Sequence, residues 1–144
     1  MLQIPVRQVG EVSQYVAVVG ELPEFILPLQ MQAGELPADL RASLPVFESS
    51  EGNIATRAAS GKVINAIADV IPELIGGSAD LAPSNNTMVK DQDSITGDRM
   101  DARNMHFGIR EHAMGALMNG MALHGGIRPY GGTFLVFSDY MRPS

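Results

Sequence analysis

Glu111 and the rings of Phe134, Phe137 and Tyr140 are the residues whose types and spacing are most suited to chemistry. The acid lies in His106-Phe-Gly-Ile-Arg-Glu111-His-Ala-Met114, which reads as a strand-to-helix junction. The rings lie in Gly131-Gly-Thr-Phe134-Leu-Val-Phe137-Ser-Asp-Tyr140. A carboxyl group beside flat apolar rings can grip an aminopyrimidine, which stacks on a phenyl face while the acid hydrogen-bonds a ring nitrogen. Both features also have plain structural explanations. A glutamate at a helix start is stabilised by the positive end of the helix dipole, and rings at i, i+3 and i+6 form the stripe of an ordinary core helix. Against the first explanation stands the apolar helix that Glu111 opens, because a carboxyl near such a surface has its charged form desolvated.

Two further residues suit an anion. Arg57 falls in the first turn of a helix expected from Asn53, where a cation faces the positive end of the dipole. Backbone N–H groups, a guanidinium fork and the Ser84 hydroxyl would together clamp a phosphate. The alternative is a solvated arginine and an ordinary turn serine, and spacing alone favours it, since a first-turn cation costs at most about 1 kcal/mol. His106, His112 and His124 make no i, i+4 ligand pair, so the spacing argues against a protein-built zinc site. The run Asp91-Gln-Asp93-Ser-Ile-Thr-Gly97 is not a calcium loop: its glycine comes one position late, and Ala102 stands where a bidentate Glu is needed.

These residues must be positioned by a single small domain. The chain has 144 residues, 45% of them hydrophobic, and a net charge of -6. That charge argues against a nucleic-acid partner, because phosphate backbones are met by clustered Lys and Arg. The absence of cysteine excludes a disulfide framework and a thiolate metal site and is compatible with a cytoplasmic protein. No apolar run approaches the ~18 residues that span a bilayer, so no membrane association is expected.

Five of the nine prolines, at positions 5, 23, 28, 37 and 45, crowd the first 45 residues. Residues 1–52 therefore read as a proline-rich, linker-like segment. Within it, residues 9–19 are a weak strand or helix candidate, and residues 37–44 a short helix opened by Pro37. From Asn53 the pattern changes. Ile54, Ala58, Ile64, Ile67, Ala68 and Ile71 recur at helical spacing, with Asn53 as N-cap and Pro72 as stop. Residues 74–78 read as a buried strand, 79–86 as a turn-rich loop, 90–104 as a surface excursion and 105–109 as a second strand. Residues 111–124 read as a helix buried on most sides, with Gly115 and Gly120 admitting other backbones. Residues 127–130 suggest a third strand, and the segment from Thr133 another helix. Alternating helices and strands predict an α/β fold with a parallel sheet, only part of which this chain supplies.

Four segments, in order, closely resemble transketolase: Asn53-Ile-Ala-Thr-Arg57-Ala-Ala-Ser, Gly76-Gly-Ser-Ala-Asp80-Leu-Ala-Pro-Ser84-Asn, the run from His106 to Met114, and Gly131 to Pro143. The resemblance is most specific over residues 53–144 and implies the front portion of a thiamine-diphosphate-binding fold, the pyrimidine-binding domain. By that resemblance Glu111 is the catalytic glutamate that hydrogen-bonds the pyrimidine of thiamine diphosphate. Phe137 stacks on that ring, and Phe134 and Tyr140 complete the apolar pocket. Arg57 and Ser84 hold the phosphate of a sugar phosphate, and Asp80 orders the cofactor's surroundings. The implied reaction is transfer of a two-carbon ketol unit from a ketose phosphate to an aldose phosphate, in the pentose phosphate pathway.

Transketolases are several times longer. The resemblance places the Mg2+ or Ca2+ ligands and the diphosphate contacts in a preceding domain, and implies that a complementary diphosphate-binding domain or a second chain completes the site. The chain alone is then expected to be an inactive piece of the enzyme. The other reading is a non-catalytic chain that binds a full-length enzyme through the helix at residues 111–124. Residues 1–31 hold only four charged side chains, Arg7, Glu11, Glu21 and Glu24, and do not resemble the charged helix expected upstream; their origin is open.

Overall fold

A computed structural model describes residue 31 and residues 33–144; the strand or helix expected at residues 9–19 lies outside the described residues. Three strands form one parallel sheet in the order β2-β1-β3, with β1 at Leu74–Ser78, β2 at Asn104–His106 and β3 at Arg128–Gly132. The α/β reading with a partial parallel sheet is thus what the chain adopts. The α-helices fully within the described residues are α1 (Leu40–Ser43), α2 (Thr56–Ala68), α3 (Ala82–Asn85) and α4 (Glu111–His124). A 3-10 helix spans Leu135–Met141.

The two long helices cover opposite faces of the sheet. Tyr130 packs with Ile64, Ile67 and Ala68 of α2 around Leu74. On the next residue, a Cβ added to Gly131 would come within 2.6 Å of Met118 Sδ and 2.9 Å of Met114 Sδ, both on α4. Consecutive strand residues face opposite sides, so α2 and α4 lie on opposite faces, and α4 packs this closely only because position 131 has no side chain. A second apolar cluster gathers Ala79, Phe107 and Met114 with Met105, Met118 and Met141.

Several sequence expectations shift. Helix α2 starts at Thr56 behind Ala55, whose extended backbone (φ -66°, ψ 140°) forms the N-cap with no side-chain hydrogen bond. Asn53 is therefore not the cap: Ile54 stays exposed and gives the chain no apolar reason to turn helical earlier. Pro37 lies outside α1, which is capped at Asp39. The loop at 79–86 contains the single turn of α3. The segment after Thr133 is a 3-10 helix.

The excursion at 90–104 is not all surface. Arg103 donates from Nη1 to Ala68 O (3.0 Å), from Nη2 to Ile71 O (2.7 Å) and from Nε to Leu74 O (3.1 Å), tying together the end of α2, the turn after it and the start of β1. Helix α4 is much barer than its composition predicts. Only Glu111 and Met114 are buried, Leu123 is 89% exposed, and Gly120 has open space around it. Gly115 does admit a close neighbour, with Ser144 Oγ 2.8 Å from an added Cβ. Ahead of the sheet, buried Glu73 accepts from Arg128 Nε (2.8 Å), and Arg128 Nη2 donates to Glu35 O (2.9 Å). Leu40 packs on the α2 cluster and the Lys62 ammonium lies over the Phe47 ring.

Candidate functional site

Because the strands are parallel, their C-terminal ends, Ser78, His106 and Gly132, emerge on one side of the sheet, the side where open α/β sheets hold ligands. The sequence places a chemically distinctive segment after each. After β1 comes a tight loop in which Asp80 (φ 59°) and Leu81 (φ 48°) are left-handed, followed by α3 and a left-handed Asn86 (φ 55°). Side chains other than glycine adopt that region only where their surroundings hold them in it. Backbone bonds from Ser84 and Asn85 to Leu81 O (2.8 and 3.0 Å) close the turn.

After β2 the chain runs through Phe107 and Gly108 into α4, so Glu111 is the first helical residue. The residue is only 8% exposed, and Thr133 Oγ1 donates to Oε1 over a long 3.5 Å. The helix start supplies a favourable dipole, but the burial exceeds what a solvated capping carboxylate needs. After β3 come Thr133 and Phe134. Phe134 and Phe137 stack with centroids 6.2 Å apart and planes 10° apart, and Phe137 and Tyr140 with 6.2 Å and 21°. The 3-10 helix explains this ladder, since three residues per turn eclipse i, i+3 and i+6.

A cleft of about 560 Å³ opens among these segments. The start of α2 forms one wall through Thr56, Arg57 and Ser60; Asn85 and Thr87 form a second; Thr133 and Phe134 form a third. Among the sequence-derived candidates, Arg57 and Phe134 line it directly. Ser84 stands next to the lining residue Asn85, Glu111 reaches it through Thr133, and Phe137 and Tyr140 extend the ring stack away from it. Asp80 is exposed in the left-handed turn.

The cleft wall includes polar residues that spacing did not single out. Tyr130 donates its hydroxyl to Thr87 O (2.7 Å); burial pushes that phenol up to about 12, with the Arg103 charge pulling the other way. Thr87 is 3% exposed, and its Oγ1 is the buried side-chain polar atom without a hydrogen-bond partner among the described residues. Asn85 Nδ2 donates to Ser78 Oγ (2.5 Å), which donates to Gly132 O (3.0 Å). Among the described residues no group of three or more His, Asp or Glu is placed to hold a metal ion.

The family model described as the pyrimidine binding domain of transketolase matches residues 52–144. The chain belongs to the transketolase family. It is 57% identical over 111 residues to a transketolase of Geobacillus stearothermophilus, covering 77% of this chain and 16% of that protein. It is 55% identical over 124 residues to one of Mycobacterium leprae, covering 80% and 18%. Among solved structures, transketolase from Leishmania mexicana superposes with a TM-score of 0.79 at 38% identity, over 92% of this chain and 19% of that one. A Pichia stipitis transketolase in complex with sedoheptulose-7-phosphate gives 0.81 at 37%, over 91% and 20%. The chain thus spans about a fifth or less of the transketolases it matches, and its fold is that of their pyrimidine-binding domain.

Proposed function

We propose that this chain supplies the aminopyrimidine-binding half of a site for thiamine-diphosphate-dependent ketol transfer between sugar phosphates. The observation that carries this reading is Glu111, a buried acid at the start of α4 whose side-chain hydrogen bond among the described residues is a long one from Thr133. Thr133 leads directly into the aromatic ladder. A buried acid bonded to the residue that precedes the rings fits the aminopyrimidine end of thiamine diphosphate. When bound, that group supplies the electron sink for carbon–carbon bond cleavage. The chain's own share is to hold a proton at Glu111, to offer Phe137, Phe134 and Tyr140 as an apolar stacking surface, and to meet a substrate phosphate with Arg57 and Ser84.

In this reading Mg2+ or Ca2+ and the diphosphate belong to a complementary domain or second chain. The bare apolar side chains of Leu135 and Val136 on the 3-10 helix, 86% and 76% exposed, support such a cover. We also propose residues 53–144 as the functional unit with residues 1–52 as a leading segment, a cytoplasmic location that suits a cysteine-free chain, and a place in the pentose phosphate pathway.

A coupled ketol-transfer assay with magnesium and thiamine diphosphate tests the reading. The purified chain alone is expected to show no turnover, and adding the separately expressed diphosphate-binding domain of the Geobacillus stearothermophilus relative is expected to restore it. Glu111→Ala should then cut the rate by ~10²-fold or more. An unchanged rate would remove the role given to Glu111.

A further inference from the structure

We propose that Asn85 is a positioning residue for the cleft: its side-chain amide fixes the separation between the Ser84 turn and the Thr133–Phe134 turn. Ser78, 2% exposed at the end of β1, holds the two together. Its single hydroxyl proton goes to Gly132 O (3.0 Å), so its oxygen can only accept from any other partner, and Asn85 Nδ2 supplies that donor at 2.5 Å. The same nitrogen reaches back to Asp80 O (3.4 Å), across the left-handed pair Asp80–Leu81. Gly132 O is held a second time by the Ala79 N–H (3.0 Å). One side chain therefore links the backbone that carries Ser84 to the backbone that carries Thr133 and Phe134.

The chemistry requires an amide. An aspartate at position 85 has the same shape but no donor: the Ser78 hydroxyl must turn its proton from Gly132 O to the carboxylate, and the Asp80 carbonyl loses its partner. The side-chain relay from the Ser84 turn to Gly132 O is then broken, and only the Ala79 N–H still holds that carbonyl. Nothing in the spacing of the Pro83-Ser84-Asn85 segment reveals this, because the partner lies on a different element.

The inference rests on the reading of Arg57 and Ser84 as phosphate contacts, and the experiment separates the two. The full 144-residue chain, labelled with nitrogen-15, is titrated with ribose 5-phosphate at a temperature where circular dichroism shows each protein fully folded. Wild type is expected to show saturable shifts at the Arg57 and Ser84 amides. In Asn85→Asp the Kd should rise about fivefold or more, the equivalent of one net hydrogen bond. The Ser84 and Thr133 amides should broaden together, which a mere loss of global stability would not produce below the melting transition. Ser78→Ala, which breaks the same relay from the other end, should act in the same direction. Wild-type Kd values in both folded variants overturn the positioning role alone. A wild-type chain with no shift at Arg57 or Ser84 overturns the substrate reading, and this inference with it.

Discussion

Asn104→Asp should destabilise the chain in a strongly pH-dependent way. Asn104 is 0% exposed and uses its amide as a small piece of backbone: Oδ1 accepts from Val89 N (2.8 Å), while Nδ2 donates to Val89 O and to Gln92 O (2.9 Å each). The same-shaped aspartate loses at least one of the two donors even when protonated, leaving a carbonyl unpaired at a cost of about 1–3 kcal/mol at any pH. Ionised, it would face two carbonyl oxygens in a dry site, so the folded protein keeps it neutral. From a reference pKa near 3.9 and ~1.36 kcal/mol per unit, that neutrality costs about 4 kcal/mol at pH 7 and about 1.5 kcal/mol at pH 5. The folded pKa is raised, so the variant loses stability as pH climbs above the unfolded value and regains it on acidification. The gap to wild type should therefore widen by about 2.5 kcal/mol between pH 5 and pH 7. Urea melts followed by circular dichroism at both pH values measure that gap, and a pH-independent gap would refute the buried-amide account.

The Tyr130 phenol, raised from 10.0 to about 12, stays neutral in the folded chain while the unfolded chain ionises. Its contribution is fully present below pH 10 and lost as pH rises toward 12; after discounting for its partly exposed setting it is worth ~1 kcal/mol. Tyr130→Phe should flatten the fall in urea midpoint between pH 9.5 and 11.5, and an unaltered slope would assign the fall to other groups. Thr87→Val removes the buried hydroxyl that has no partner and should raise the melting midpoint through a gain of about 1 kcal/mol; a lower midpoint would show that a bound water or another group satisfies Oγ1.

What was legible in the sequence was whatever depends on local pattern. The strand at Leu74–Ser78 and the helix at Glu111–His124 fall on the expected residues, because a short apolar run ending in glycine and a long run ended by Gly125 are signals carried by neighbours in the chain. The family, too, could be read from its four motifs. What stayed hidden depends on partners distant in sequence. Asn104 sits at the end of a polar stretch and reads as surface, yet it is the most buried polar side chain because its partners, Val89 and Gln92, fold back over it. Arg103 looks like another solvated charge until the carbonyls of Ala68 and Ile71, at the end of α2 and in the turn after it, are brought beside it. The bareness of α4 could not be read from composition, since an all-round apolar helix signals that it is to be covered without naming the cover.

The arrangement also explains why burial is so uneven around the site. Three parallel strands deliver Ser78, His106 and Gly132 to one edge, and the segments that follow them carry every candidate group except Arg57, which α2 brings in from the side. On the sheet side these segments are tightly held: Ser78, Thr87 and Glu111 are all buried, and Asn85 and Tyr130 link one segment to the next through hydrogen bonds. On the far side Leu135, Val136 and Tyr140 are exposed among the described residues. Rigid backing joined to an apolar open face is what the proposed half-site would require. In that proposal the backing keeps the acid and the rings in register before any ligand arrives, and the open face supplies the area that a complementary surface would bury to exclude water from the carboxyl.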